Sequence, residues 1–216
     1  VHGAHFVEDA CQRGASAVLT DPEGARIVAS TGVNNIPLLV VDDIRAVLGR
    51  VSAAIYGNPS YDVPVIGITG TSGKTTTSYL IESAFRTAGH SVGMIGTTGS
   101  RINGVRVPSS LTTPEAPDLQ RLFATMRDDG VHRIVMEVSS HSLLLGRVGG
   151  TRFRIGAFLN LSQDHLDFHH TMEEYFQAKA RLFTKDSGTC CDRAVICIDD
   201  SWGLRMRDIA EASGCT

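Results

Sequence analysis

The stretch "GITGTSGKTTTSYLIESAF", Gly67 to Phe85, decides how the rest of the chain is read. A glycine-rich turn runs into a lysine and three threonines, and a helical pattern follows. Placed after an apolar run, "VPVIGIT" (Val63 to Thr69), the turn connects a buried strand to a helix N-terminus. Backbone N–H groups at such a terminus point at an anion, and the helix dipole favours negative charge. Gly70 and Gly73 permit the tight backbone. Lys74 can reach β- and γ-phosphates, and the Thr75 hydroxyl can ligate Mg²⁺. The first glycine of the usual P-loop pattern falls on Ile68, so this loop is a variant of it.

Outward from the loop, strands alternate with helices. "SVGMIGT" (Ser91 to Thr97), "RIVMEVS" (Arg133 to Ser139), "RIGAFLN" (Arg154 to Asn160) and "RAVICID" (Arg193 to Asp199) read as buried strands. Helices are expected from the loop to about Ala88, over Pro114 to Asp129, and over Thr171 to Thr184. Asn103-Gly104 within "RINGVRV" signals a hairpin. This alternation predicts an α/β fold: a parallel sheet covered on both faces, carrying a P-loop. Toward the N-terminus, "ASAVLT" (Ala15 to Thr20) and "IPLLVVDD" (Ile36 to Asp43) read as buried strands of a smaller α/β domain. A helix follows between Asp43 and Tyr56. "YGNPSYDVP" (Tyr56 to Pro64) reads as a linker, which sets a domain boundary near residue 60.

Composition narrows the class. A net charge of -3 over 216 residues gives no electrostatic footprint for nucleic acid. The longest apolar runs are too short to span a bilayer, and no signal peptide is seen. Five cysteines, two of them adjacent and none in a C-x-x-C pair, argue against a disulfide framework or a zinc site and for a reducing, cytoplasmic compartment. Val1 and the unfinished helical pattern at the C-terminus suggest a piece of a longer protein.

Ligands in open α/β sheets bind outside the carboxyl ends of the strands. Two other strand ends are polar here. "MEVSSHSL" carries Glu137, Ser139, Ser140 and His141. A carboxylate in an apolar strand needs a partner, either a metal held with Thr75 or a salt bridge to Arg133 or Arg147. "NLSQDHLDFHH" (Asn160 to His170) packs two aspartates and three histidines, among which His165 is either structural or a ligand. Lys179 falls on the apolar side of its helix, with Phe176 and Phe183. It can snorkel to the surface, which spacing alone favours. It can instead pair with an acid such as Glu137 or Asp164, or lose its proton through burial.

Five segments together, "TGTSGKTTT", "LTTPEAPDLQRLF", "MEVSSHSL", "NLSQDHLDFHHTMEEYFQAKARLF" and "ICIDD", resemble the Mur ligases in order and spacing. The resemblance is to the branch that extends UDP-MurNAc-L-Ala-D-Glu by a diamino acid. It covers nearly the whole chain. It implies an ATP-dependent amide ligase of peptidoglycan synthesis, acting in cell-wall biogenesis, cell shape and division. The partners implied are ATP, Mg²⁺, UDP-MurNAc-L-Ala-D-Glu and meso-diaminopimelate or L-lysine, with a monomeric enzyme expected. Carried over, Gly70, Thr71, Ser72, Gly73, Lys74, Thr75 and Thr76 would bind ATP. Thr112, Thr113, Ser139 and Arg147 would contact the UDP-MurNAc-dipeptide. Thr75 and Glu137 would serve one Mg²⁺, with Glu137 and His165 near the second. Lys179 matches the lysine carbamylated in the family, which reverses the snorkelling preference. Lys74, Glu137, His165 and Lys179 form the expected catalytic set. Leu145 stands where the family often has glutamine, so that contact is not carried over.

The resemblance also implies domain identities. Residues 1–60 would be the C-terminal part of the UDP-binding domain and 61–216 a truncated central ATPase domain, with the amino-acid-selecting domain absent. A fragment of this kind is not expected to complete the reaction alone. The competing readings are a folylpolyglutamate synthase or another Mur ligase, a small-molecule kinase, and a P-loop module that binds nucleotide without catalysis. Thr113 before Pro114 also reads as a helix N-cap.

Overall fold

The computed structural model describes residues 1–33, 35–107 and 111–216. The chain forms two compact units, Val1–Val47 and Leu48–Thr216. The first holds a short 3₁₀ turn, α1 (Val7–Gln12), β1 (Val18–Thr20), α2 (Pro22–Ser30), β2 (Leu38–Val40) and the start of α3 (Ile44–Ile55). Ala4, Val7 and Val28 make its small core. Asp21 caps α2 by accepting from the Gly24 N–H at 2.7 Å, and Pro22 occupies the first turn where its missing N–H costs nothing. β1 and β2 pair in parallel as a two-stranded sheet. Both were expected to be buried; β1 is half-buried to buried, but in β2 Leu39 is 58% exposed and Leu38 and Val40 are also exposed. α2 touches β2 but leaves these side chains uncovered among the described residues.

The division falls inside α3, not near residue 60. The second half of α3 lies tight against a glycine turn of the larger unit, since a Cβ at Gly49 would come within 2.3 Å of the Gly149 carbonyl oxygen. The expected linker is likewise tied to the larger unit. Tyr56 carbonyl accepts from Arg127 at 3.1 Å, and Ser60 Oγ accepts from the Arg152 N–H at 3.0 Å.

In the larger unit, α4 (Pro59–Asp62) leads into β3 (Val65–Thr69) and α5 (Lys74–Thr87). β4 (Val92–Gly96), β5 (Gly99–Ile102) and β6 (Val105–Val107) follow, then α6 (Ala116–Asp128), β7 (Arg133–Glu137), α7 (Ser140–Leu144) and β8 (Phe153–Phe158). The chain continues through α8 (Leu166–His169), α9 (Met172–Ala180), β9 (Arg193–Ile196) and α10 (Ser201–Ala212). Seven strands form one sheet in the order β6-β5-β4-β7-β3-β8-β9. The five from β4 to β9 are parallel, and β5 and β6 are antiparallel. The Asn103-Gly104 turn forms the predicted hairpin, with φ of 52° and 84°, and Asn103 Oδ1 accepts from the Val92 N–H at 3.0 Å.

One face of the sheet buries Ile66, Ile68, Val92 and Val135 with Ile81 and Phe85 of α5. The other buries a larger cluster with Leu119, Phe123 and Met126 of α6, Phe176 of α9 and Met206 of α10. Both faces are thus covered. β9 was read as buried but is the sheet edge, and Val195 is 62% exposed. From β3 the chain crosses to β4 on one side; from β7 it crosses over β3 to β8 on the other. The carboxyl ends of β3, β7 and β8 therefore meet at a reversal of strand order, where α/β sheets form clefts.

Candidate functional site

The loop after β3 is held open by neighbouring strand ends. Gly70 has φ 155° and Gly73 φ 85°, conformations that disfavour any side chain. Asn160, just past β8, accepts at Oδ1 from the N–H groups of Thr71 (3.2 Å) and Ser72 (3.0 Å), and its amide donates to the Ser72 carbonyl at 3.2 Å. The Thr71 hydroxyl bonds the Ser162 carbonyl at 3.2 Å. The first i→i−4 bond of α5 runs from Thr77 N–H to the Gly73 carbonyl at 2.9 Å. The N–H groups of Lys74, Thr75 and Thr76 precede it, so they have no partner within the helix and face the loop. Ser72 and Thr76 are exposed. Lys74 folds back over the loop, donating to the carbonyls of Gly70 (2.8 Å) and Thr71 (2.9 Å). Burial lowers its pKa, opposed by the charges of Glu137 and Asp164.

Glu137 ends β7 beside β3, in register with Ile68. It is 1% exposed. Oε1 accepts from the Thr75 hydroxyl and the Thr97 N–H, both at 3.0 Å, and Oε2 from the Thr97 hydroxyl at 3.1 Å. A Cβ on Gly96 would lie 2.2 Å from Oε1, so the glycine makes room for the carboxylate. The salt-bridge alternatives are not what holds it: Arg147 pairs with Glu115 at 2.8 Å, and Arg133 donates to the His132 carbonyl at 2.6 Å.

The two threonines of "TTP" attach to the same group. Thr112 and Thr97 share a hydroxyl contact at 3.2 Å, and the buried Thr113 hydroxyl donates to the Glu137 carbonyl at 3.1 Å. Thr113 is therefore not a helix cap. α6 begins two residues later than expected, with Glu115 extended at the cap position and Pro117 in the first turn. Ser139 caps α7, accepting from the Ser142 N–H at 3.1 Å. Leu145 ends that helix.

Lys179 does not snorkel. It is 1% exposed, its Nζ donates to the Gly70 carbonyl at 2.9 Å, and it lies 4.3 Å from the Tyr175 ring centre. Among the described residues no carboxylate pairs with it within 4 Å. Burial, and next the Lys74 charge, lower its pKa to about 7, with Asp164 opposing. Two lysines thus converge on one carbonyl, and the more buried is readily neutral near physiological pH. α9 is shorter than the predicted helix, ending at Ala180, and Thr171 caps it through the Glu174 N–H at 3.1 Å.

His165 stands outside this hydrogen-bonded set. It has φ 52°, faces Asp164 at 3.5 Å, and meets the His141 ring edge-on at 5.0 Å. Its link to Lys179 runs through Tyr175, whose ring centre lies 6.0 Å from its own. Asn160 and Thr97 were missed as contributors. Their only sequence signal is position: each directly follows, or lies within two residues of, a strand's carboxyl end.

The chain is similar to known proteins. The model of the Mur ligase middle domain fits residues 68–216. The chain belongs to the Mur ligase family. Among its relatives, UDP-N-acetylmuramoyl-L-alanyl-D-glutamate–2,6-diaminopimelate ligase of Corynebacterium glutamicum is 58% identical over 97% of this chain. The protein of the same name from Streptomyces coelicolor is 53% identical over 95%. The chain spans 40% and 39% of the length of these Mur ligases. A solved structure of a UDP-N-acetylmuramoyl-L-alanyl-D-glutamate–2,6-diaminopimelate ligase superposes with a TM-score of 0.77 at 32% identity, covering 99% of this chain and 42% of that one. No helix among the described residues is long and apolar enough to cross a membrane.

Proposed function

We propose that this chain is the ATP-handling part of a Mur ligase that joins a diamino acid to UDP-MurNAc-L-Ala-D-Glu, in the cytoplasm. The observation that carries the reading is the convergence of Lys74, Thr75, Glu137 and Lys179 on one glycine loop. A pure nucleotide-binding module has no need of a buried lysine turned onto the loop. The names of the relatives support 2,6-diaminopimelate as the incoming amine, over L-lysine.

In this reading the N–H groups at the start of α5 and the Lys74 ammonium hold the ATP phosphates. The side-chain carboxylate of D-Glu attacks the γ-phosphorus, ADP leaves, and an acyl phosphate forms. The amine then attacks the acyl carbon, phosphate leaves, and the amine loses a proton. A carboxylate is a poor electrophile, and phosphorylation supplies its leaving group. Because two anions must meet, fixed positive charge at the loop is the main requirement. Thr112, Thr113, Ser139 and Arg147 would orient the nucleotide-sugar dipeptide.

The residues fit Mg²⁺ at the first position. The Thr75 hydroxyl and Glu137 carboxylate, 3.0 Å apart, are hard oxygen donors, and such a cation is usually completed by phosphate oxygens and water. Bound there, Mg²⁺ would supply charge neutralisation between the phosphates. For the second position, Glu137 and His165 would need a carbamylated Lys179. The buried amine supports that modification: the neutral nitrogen adds to CO₂ and releases a proton, leaving an anion. The domain identities proposed are the closing part of a UDP-binding domain for the smaller unit and a central ATPase domain for the larger one.

The test is ADP release by the full-length gene product. It should require both the nucleotide dipeptide and a diamino acid, and Lys179→Arg should abolish it although charge is kept. ADP release with a hydroxyl acceptor instead would make the protein a kinase. Full activity in Lys179→Arg would remove that residue from the metal site.

A further inference from the structure

Far along the chain from the loop, three thiols meet. Cys190 and Cys191 precede β9, and Cys215 follows α10. The Cys215 Sγ lies 3.6 Å from the Cys190 Sγ and 3.9 Å from the Cys191 Sγ. The backbone fixes this meeting: Ala194 N–H donates to the Thr216 carbonyl at 3.2 Å, and Thr216 N–H to the Asp192 carbonyl at 3.4 Å. All five cysteines are free thiols. Among the described residues no three His, Cys, Asp or Glu side chains are arranged to hold a metal ion, so the trio is not read as a metal site.

The two neighbours of Cys215 differ. Cys191 is buried, its sulfur pressed under β8, where a Cβ on Gly156 would lie 2.8 Å away. Cys190 is partly exposed and lines a cavity of about 390 Å³ with Arg50, Tyr61, Arg152 and Lys185. Three cationic side chains line this cavity. Asp192 neutralises part of that charge through Arg152 at 3.0 Å. An anionic reagent can therefore collect beside one thiol while its partner waits within contact.

We propose that Cys190 and Cys215 are a modification site, closing to a reversible disulfide when an anionic low-molecular-weight disulfide enters this cavity. One protein thiolate attacks a sulfur of the reagent, forming a mixed disulfide and releasing one small thiol. The second protein sulfur displaces the other half. The two cysteines lose two electrons and two protons, and the reagent leaves as two thiols. The sulfurs stand at 3.6 Å and must close to the bonded separation of about 2 Å. Burial, and then the Cys215 sulfur, push the Cys190 thiol up to about 12, and burial pushes Cys191 up as well. Exchange is therefore slow near neutral pH and faster in alkali. The bond would tie the start of β9 to the end of α10, locking the sheet edge.

The test is incubation of the reduced full-length gene product with oxidised glutathione at pH 8, followed by non-reducing peptide mapping. A Cys190–Cys215 cross-link, with a mass loss of roughly 2 Da that dithiothreitol restores, is expected. Cystamine, a cationic disulfide, should form it several-fold more slowly at low salt, and the difference should shrink in salt. Cys11→Ser and Cys197→Ser should leave the cross-link intact. A cross-link through Cys191, one only between molecules, or none at all would overturn the proposal. Equal rates for the two reagents would overturn the role of the cavity.

Discussion

Replacing Lys179 with methionine tests how deeply its amine is held. The side chain is 1% exposed, and its pKa falls from 10.5 to about 7. At roughly 1.4 kcal/mol per unit, that interval corresponds to as much as about 5 kcal/mol of charging cost in the folded chain. Below pH 7 both folded and unfolded chains carry the ammonium, and the cost is present in full. Between about 7 and 10.5 the unfolded lysine keeps a proton that the folded one has released. Stability from this residue therefore rises with pH across that window. Lys179→Met keeps most of the apolar stem and cannot charge. It also gives up the bond to the Gly70 carbonyl, worth about 1–3 kcal/mol. At pH 6 the variant should equal or exceed the wild type in urea unfolding. By pH 9.5 the wild type should have gained a few kcal/mol relative to it. Buffers must be free of bicarbonate, because a carbamate would change the charge. A difference that stays flat from pH 6 to 9.5 would refute the reasoning, since it would mean that Lys179 titrates alike in both states.

Three further outcomes are expected. Gly70→Ala forces a side chain to φ 155°, with its Cβ 3.0 Å from Leu159 Cβ, and should lower stability by about 1–3 kcal/mol, read as a fall in Tm. Asn160→Ala removes the amide that orders Thr71 and Ser72; full-length enzyme should show a KM for ATP about tenfold higher or more, with an unchanged far-UV spectrum. Arg147→Ala should raise KM for the nucleotide sugar and leave that for ATP within about twofold; a parallel rise in both would mark Arg147 as structural, through its pair with Glu115.

The glycine loop was legible in the sequence because its causes are local. Two glycines at positive φ, a preceding apolar run and a following helix all lie within a short segment, and chain geometry alone makes them a strand–turn–helix. The Asn103-Gly104 hairpin was legible for the same reason. Burial was less so. β2 and β9 have the apolar content of inner strands, yet one lies exposed in a two-stranded sheet and the other is an edge, and strand order is not written in any one strand. The sequence could name Glu137 but left its partner open between a metal and two arginines. The register of β7 on β3 brings Glu137 against the Thr75 hydroxyl 62 residues away, with both arginines paired elsewhere. Lys179 was open in the same way. Helical spacing put it on the apolar side, but only the packing of α9 against the loop sent its amine inward, to the carbonyl of Gly70 109 residues earlier. Such contacts depend on which surfaces the whole chain brings together, and no local pattern encodes the pairing.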